Sequence, residues 1–179
     1  MVPRRSVCTI SPAQTLRVID LKTAELFRVS CFLGAKLAGF APGFADAAGR
    51  FGRHLGIAYQ IYDDLADFFG EEKRIGKTLG TDLASGKLTL PLLVLMERLS
   101  ATERAELAHE ITGGRAPQLA LRLAQMAEHG VFAAVAEAVA AEIAAARGAL
   151  TEWASEPPVE PLLGLCDVLA AQVAALRPA

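Results

Sequence analysis

The sequence predicts an all-α protein, and three observations carry that prediction. Apolar residues make up 53% of the chain and aromatics only 6%, an alanine- and leucine-rich mixture poor in strand-forming side chains. Apolar side chains recur at near-helical spacing, as in Val18, Leu21, Ala24, Leu26, Val29, Phe32 and Leu33. Helix punctuation is frequent, with a capping box at Ser100-Ala101-Thr102-Glu103 and stops at Gly113-Gly114 and Glu156-Pro157-Pro158. At 179 residues the chain is long enough for one domain with a real core.

Taken in order, residues 1 to about 12 read as a disordered leader ending at Ser11-Pro12, and residues 13–179 as one helical domain. A first helix is expected from Ala13 to Gly39, ended by the break Phe40-Ala41-Pro42-Gly43. A second, apolar on several sides and therefore buried, is expected from about Phe44 to Phe69. The four glycines Gly70, Gly76, Gly80 and Gly86 mark a loop up to Lys87, and Glu71-Glu72-Lys73-Arg74 within it reads as a solvated charge run. Helices then follow from Thr89-Leu90-Pro91, from Ser100, from Pro117 to about His129, from Val131 to Trp153, and from Val159 to Leu176. These last helices carry no convergent polar cluster and read as scaffold. Trp153 reads as a partly buried packing residue and His54 as a hydrogen-bonded helix residue without a role.

Composition also excludes several classes. The net charge of -2 offers no electrostatic support for a nucleic-acid partner. No stretch approaches the ~18 uninterrupted apolar residues of a spanning helix, so no transmembrane segment is expected. Cys8, Cys31 and Cys166 lack CxxC spacing, which argues against a disulfide framework or zinc site and fits a reducing cytosol; a cytoplasmic location is expected.

The chemistry concentrates in Tyr59-Gln60-Ile61-Tyr62-Asp63-Asp64-Leu65-Ala66-Asp67. On a helix Asp63 and Asp67 are i,i+4 and Asp64 and Asp67 i,i+3, so three carboxylates share one face, with Gln60 one turn earlier. Clustered like charges cost stability, and hard oxygen ligands on one face suit Mg2+ held together with a phosphate. Lys77 in Gly76-Lys77-Thr78-Leu79-Gly80-Thr81-Asp82-Leu83 and Lys87 in Gly86-Lys87-Leu88-Thr89-Leu90-Pro91 follow as point charges suited to that phosphate.

These segments, with Asp20-Leu21-Lys22-Thr23-Ala24-Glu25-Leu26-Phe27 upstream, resemble the trans-polyprenyl diphosphate synthases in motif order and spacing. They match the family's second aspartate-rich motif, the basic loop after it, and its Lys-Thr motif. The resemblance implies an isoprenoid-synthase helical bundle and a prenyltransferase of isoprenoid biosynthesis. The reaction would be Mg2+-dependent prenyl transfer from an allylic diphosphate to isopentenyl diphosphate. It makes Asp63 the first candidate for direct Mg2+ coordination, with Asp64 and Asp67 binding through water or orienting it. Lys22, Lys77 and Lys87 become diphosphate contacts, Gln60 a hydrogen-bonding neighbour and Thr23 a residue lining the prenyl channel. The synthase-type lysine loop points away from the class I terpene cyclases, which share the fold.

The family's first aspartate-rich motif is not in this sequence, since Asp20 is the only acidic residue before Lys22. The chain is therefore expected to correspond to the C-terminal part of a synthase, acting as a partial chain or as a subunit of a homo- or hetero-oligomer. The alternative is a non-catalytic binding or assembly subunit. Helices built for absent neighbours are expected to expose apolar side chains.

Overall fold

The computed structural model describes residues 18–70 and 78–176. The expected leader, Cys8 and Lys77 lie outside the described residues. Every regular element among the described residues is helical: a π-helical turn at Asp20–Ala24, α1 at Glu25–Leu37, α2 at Pro42–Phe69, a short α3 at Thr81–Ala84, α4 at Leu90–Arg98, α5 at Ala101–Ile111, α6 at Leu119–Glu128, α7 at Val131–Ala149, a 3-10 turn at Thr151–Trp153 and α8 at Val159–Ala174.

Local chemistry accounts for the boundaries. Helix α1 closes in a Schellman turn: Gly39 takes φ 81°, its N–H donates to the Lys36 carbonyl at 3.2 Å, and the Phe40 N–H donates to the Ala35 carbonyl at 3.2 Å. Pro42, expected inside the break, instead begins α2, because its fixed φ and missing N–H suit the first helical position. The capping box holds as expected, with the Ser100 Oγ accepting from the Glu103 N–H at 3.4 Å and the Ser100 N–H donating to Glu103 Oε2 at 3.1 Å. Helix α7 ends at Ala149 rather than Trp153, the chain tightening into the 3-10 turn.

Two compact units divide the described residues, one of residues 18–62 and 136–175 and the other of residues 63–135 with Leu176. In the first, α1 lies directly on α2 because Gly52 and Gly56 present no side chain. A Cβ on Gly52 would sit 2.5 Å from the Phe27 carbonyl oxygen, and one on Gly56 2.7 Å from the Ala24 Cα. Phe51, Ala58, Val139, Cys166 and Leu169 fill its core. Trp153 is half-buried with its ring edge-on to Phe44 at 5.6 Å, and His54 Nδ1 meets Glu142 Oε2 at 2.7 Å, both as the sequence suggests. Val18, Leu21, Leu26, Leu33 and Leu37 before and along α1, with Leu165 and Val168 on α8, are exposed. No single helix among the described residues is long and apolar enough to cross a membrane.

In the second unit Leu65, Phe68, Leu83, Leu92, Leu95, Leu107 and Met126 are buried. Each such leucine contributes about 1.5–3 kcal/mol by leaving water. Among them lies a fully enclosed ion pair, Arg122 with Glu110, at 2.7 Å. Gln118 and Gln125 complete its hydrogen bonds, which is what makes a buried charge pair tolerable.

Candidate functional site

The acidic segment folds as expected: Gln60, Asp63, Asp64 and Asp67 all lie on the continuous helix α2. Their environments differ because successive helical residues point about 100° apart. Asp63 is half-exposed, Asp64 is 2% exposed and Asp67 is fully buried.

Asp67 serves the following loop. Its Oδ1 accepts from the Thr81 hydroxyl at 2.7 Å, its Oδ2 from the Asp82 N–H at 2.9 Å, and its own carbonyl from the Gly80 N–H at 2.7 Å. A carboxylate at the start of α3 also opposes the positive end of that helix. This fold-back requires Gly80, at φ 71°, to adopt the left-handed conformation against Leu119. Gly86, at φ 68°, does the same against the Ile111 carbonyl, where a Cβ would stand 2.4 Å away. Within the stretch expected to be plain loop, residues 78–87 thus form an anchored turn containing α3.

That turn delivers Lys87. Its Nζ donates to Asp64 Oδ1 at 3.0 Å and to Asp82 Oδ1 at 3.1 Å. Burial works against the ammonium, but Asp64 first and then Asp82 outweigh it and raise the Lys87 pKa above its ordinary value. Lys87, expected to face a phosphate, therefore already neutralises the buried Asp64, which needs a counter-charge. Asp82, quoted in the motif but given no role from sequence, completes the cluster. Thr89, two residues on, is 1% exposed and its Oγ1 has no hydrogen-bond partner among the described residues.

In the unit of residues 18–62 and 136–175, the structure brings together Thr23 and Gln60, the Thr23 hydroxyl donating to Gln60 Oε1 at 2.9 Å. Lys22 is exposed beside them on the π-helical turn. Asp20 and Arg53, 33 residues apart, form a bidentate pair at 2.6 and 2.7 Å. Sequence reasoning gave neither residue a role, and no local signal reveals the pairing. Farther along, α1, the start of α2 and α8 enclose an open apolar cavity of about 560 Å³ lined by Cys31, Ala35, Phe44, Ala48 and Leu162. Burial pushes the Cys31 thiol up from its ordinary pKa, so it behaves as an apolar wall.

The donor set defines what could bind. Among the described residues no group of three or more His, Cys, Asp or Glu is arranged to hold a metal ion. Asp63 and Asp64 are hard oxygen donors of the kind a divalent cation takes together with phosphate and water, and Asp64 already has the Lys87 ammonium as its cation.

Comparisons with known proteins identify the family. The polyprenyl synthetase family model matches residues 3–128. The chain belongs to the polyprenyl synthetase family. An octaprenyl diphosphate synthase of Haemophilus influenzae is 40% identical over 120 residues, which is 66% of this chain and 36% of that protein. A heptaprenyl diphosphate synthase component 2 of Geobacillus stearothermophilus is 43% identical over 88 residues, covering 48% of this chain and 28% of that one. The crystal structure of a polyprenyl synthase from Caulobacter crescentus, complexed with calcium and isoprenyl diphosphate, superposes with a TM-score of 0.78 at 30% identity. That superposition covers 94% of this chain and 51% of the other. The chain thus spans about half the length of that synthase and less of the two curated relatives. The described residues are all-α and form part of an isoprenoid-synthase-type helical bundle, as expected from the sequence.

Proposed function

We propose that this chain carries one diphosphate-binding half of a prenyl-transfer site, acting on an allylic diphosphate with isopentenyl diphosphate as acceptor. The observation that carries the reading is the interleaving of Asp64, Asp82 and Lys87 beside Asp63, a charge pattern suited to a metal–diphosphate pair. Asp63 and Asp64 would hold Mg2+. When bound, Mg2+ would supply charge neutralisation for the departing diphosphate. Asp67, with its oxygens engaged by Thr81 and Asp82, holds the loop in place rather than touching the ion. Lys22, Lys77 and Lys87 are the diphosphate contacts, each a compact cation on a flexible stem. Gln60 fixes Thr23 next to Lys22.

Transfer needs a second acidic cluster that this sequence does not contain, so turnover is assigned to it as a partial chain or subunit, together with residues that lie outside this sequence. The relative named heptaprenyl diphosphate synthase component 2 supports a hetero-oligomer. A second reading, a non-catalytic binding or assembly subunit, is favoured by carboxylates already engaged within the chain, Asp64 by Lys87 and Asp67 by Thr81 and Asp82.

The test is a calorimetric titration of a non-hydrolysable allylic diphosphate analogue, with and without Mg2+, into wild type and Asp63→Ala. Mg2+-dependent binding lost in Asp63→Ala is the expected result. No binding in either protein overturns the reading in favour of the assembly subunit.

A further inference from the structure

We propose that Arg53 and Asp20 are positioning residues for Lys22, acting by clamping the π-helical turn that carries it. The inference rests on the reading of Lys22 as a diphosphate contact. The Glu25 N–H donates to the Asp20 carbonyl, five residues back, so Asp20–Ala24 is wound one residue wider than the helix it leads into. Such turns are less stable than α-helix and need support from their surroundings.

Support comes from α2 at three points. Arg53 Nε and Nη2 donate to Asp20 Oδ1 and Oδ2 at 2.6 and 2.7 Å. At the other end of the turn the Thr23 hydroxyl donates to Gln60 at 2.9 Å. Between these tethers Ala24 is fully buried on Gly56, so backbone rests against backbone. Lys22 sits within the clamped segment and is itself exposed. Its stem is mobile, but the place from which it reaches is set by the clamp.

Exposed ion pairs usually add little stability, and the Asp20 and Arg53 side chains are 24% and 47% exposed. What distinguishes this pair is the planar two-bond fork, which fixes orientation as well as distance. The nearby Glu25 is held by Arg28 at 2.6 and 2.8 Å, which leaves Arg53 to Asp20. A lysine at position 53 would keep the charge without the fork.

The experiment is a double-mutant cycle read by titration of inorganic diphosphate in the presence of Mg2+. Wild type, Arg53→Met, Lys22→Met and the double variant are compared. Arg53→Met is expected to weaken binding about five-fold in the wild-type background and less than about two-fold once Lys22 is gone. Arg53→Lys is expected to behave like Arg53→Met, since charge alone does not clamp the turn. Equal weakening in both backgrounds would show Arg53 meeting the phosphate by its own charge and would overturn the proposal. So would an Arg53→Met protein that binds as well as wild type. Amide hydrogen exchange without ligand gives an independent readout: residues 22–25 are expected to exchange faster in Arg53→Met and Asp20→Asn, while α8 is unchanged. Unaltered exchange sinks the clamp. A wild type that binds no diphosphate, with exchange altered as expected, sinks the functional reading and leaves the clamp standing.

Discussion

Replacing Gly52 by alanine tests the contact on which the Thr23–Gln60 arrangement depends. Two effects oppose each other. Alanine in a helix interior gains about 1 kcal/mol over glycine by propensity. The new Cβ, however, would lie 2.5 Å from the Phe27 carbonyl oxygen, 2.9 Å from the Phe27 carbonyl carbon and 2.9 Å from Cys31 Sγ. Two of those atoms are backbone, so α1 must move bodily, and overpacking of this kind costs about 1–3 kcal/mol or more. A clash with backbone belongs at the upper end, giving a net loss of about 2 kcal/mol and a Tm lower by about 4–8 °C. Gly164 on α8 is the control, because no atom of the described residues lies within 4 Å of its Cβ position. Gly164→Ala should therefore gain about 0.5–1 kcal/mol from propensity alone. Thermal and urea unfolding followed by far-ultraviolet circular dichroism measure both. A Gly52→Ala protein as stable as wild type, or as stable as Gly164→Ala, would refute the close backbone contact between α1 and α2.

Glu110→Gln should cost about 3–5 kcal/mol, because Arg122 is left buried without its counter-charge. Burial pushes the Glu110 carboxyl up, but the Arg122 hydrogen bonds and charge with the Gln118 N–H hold it below its ordinary pKa. Its contribution is then complete above the unfolded value of about 4.3 and fades as pH falls through the lower folded value, so the gap between wild type and Glu110→Gln should narrow in acid titrations below about pH 4. Thr89→Val should gain about 1 kcal/mol in denaturant unfolding, since it replaces a buried hydroxyl with no partner among the described residues by a methyl of similar shape; a loss would reveal a partner for that hydroxyl. Lys87→Met should tighten Mg2+ binding measured alone and weaken binding of the diphosphate analogue, each about three- to ten-fold, because Lys87 competes with the cation at Asp64 and attracts the anion. A change of the same sign in both titrations would remove Lys87 from one of those roles.

Helical character, the burial of α2 and the membership of Asp63, Asp64 and Asp67 in one helix were legible in the chain, because 3.6-residue periodicity and i,i+4 spacing are local properties. The capping box at Ser100 and Glu103 was legible for the same reason. Local rules were less sure where a residue has two uses: Pro42 read as part of a break and proved to be the first residue of α2. The π-helical turn under Lys22 leaves no mark in the apolar pattern, since it changes the hydrogen-bond partner without changing the residue types.

The roles inside the site divide along the same line. Sequence by itself determined which residues carry charge near one another along the chain, and the family to which the chain belongs follows from that order. Only the tertiary structure decided what each charge does. Asp67 became a loop anchor because Gly80 turns the chain back over it. Lys87 became the counter-ion of Asp64 across 23 residues, and Arg53 the clamp on Asp20 across 33. Such assignments depend on which partner lies within about 3 Å once the chain has folded, and a contact of that range has no signature in local spacing.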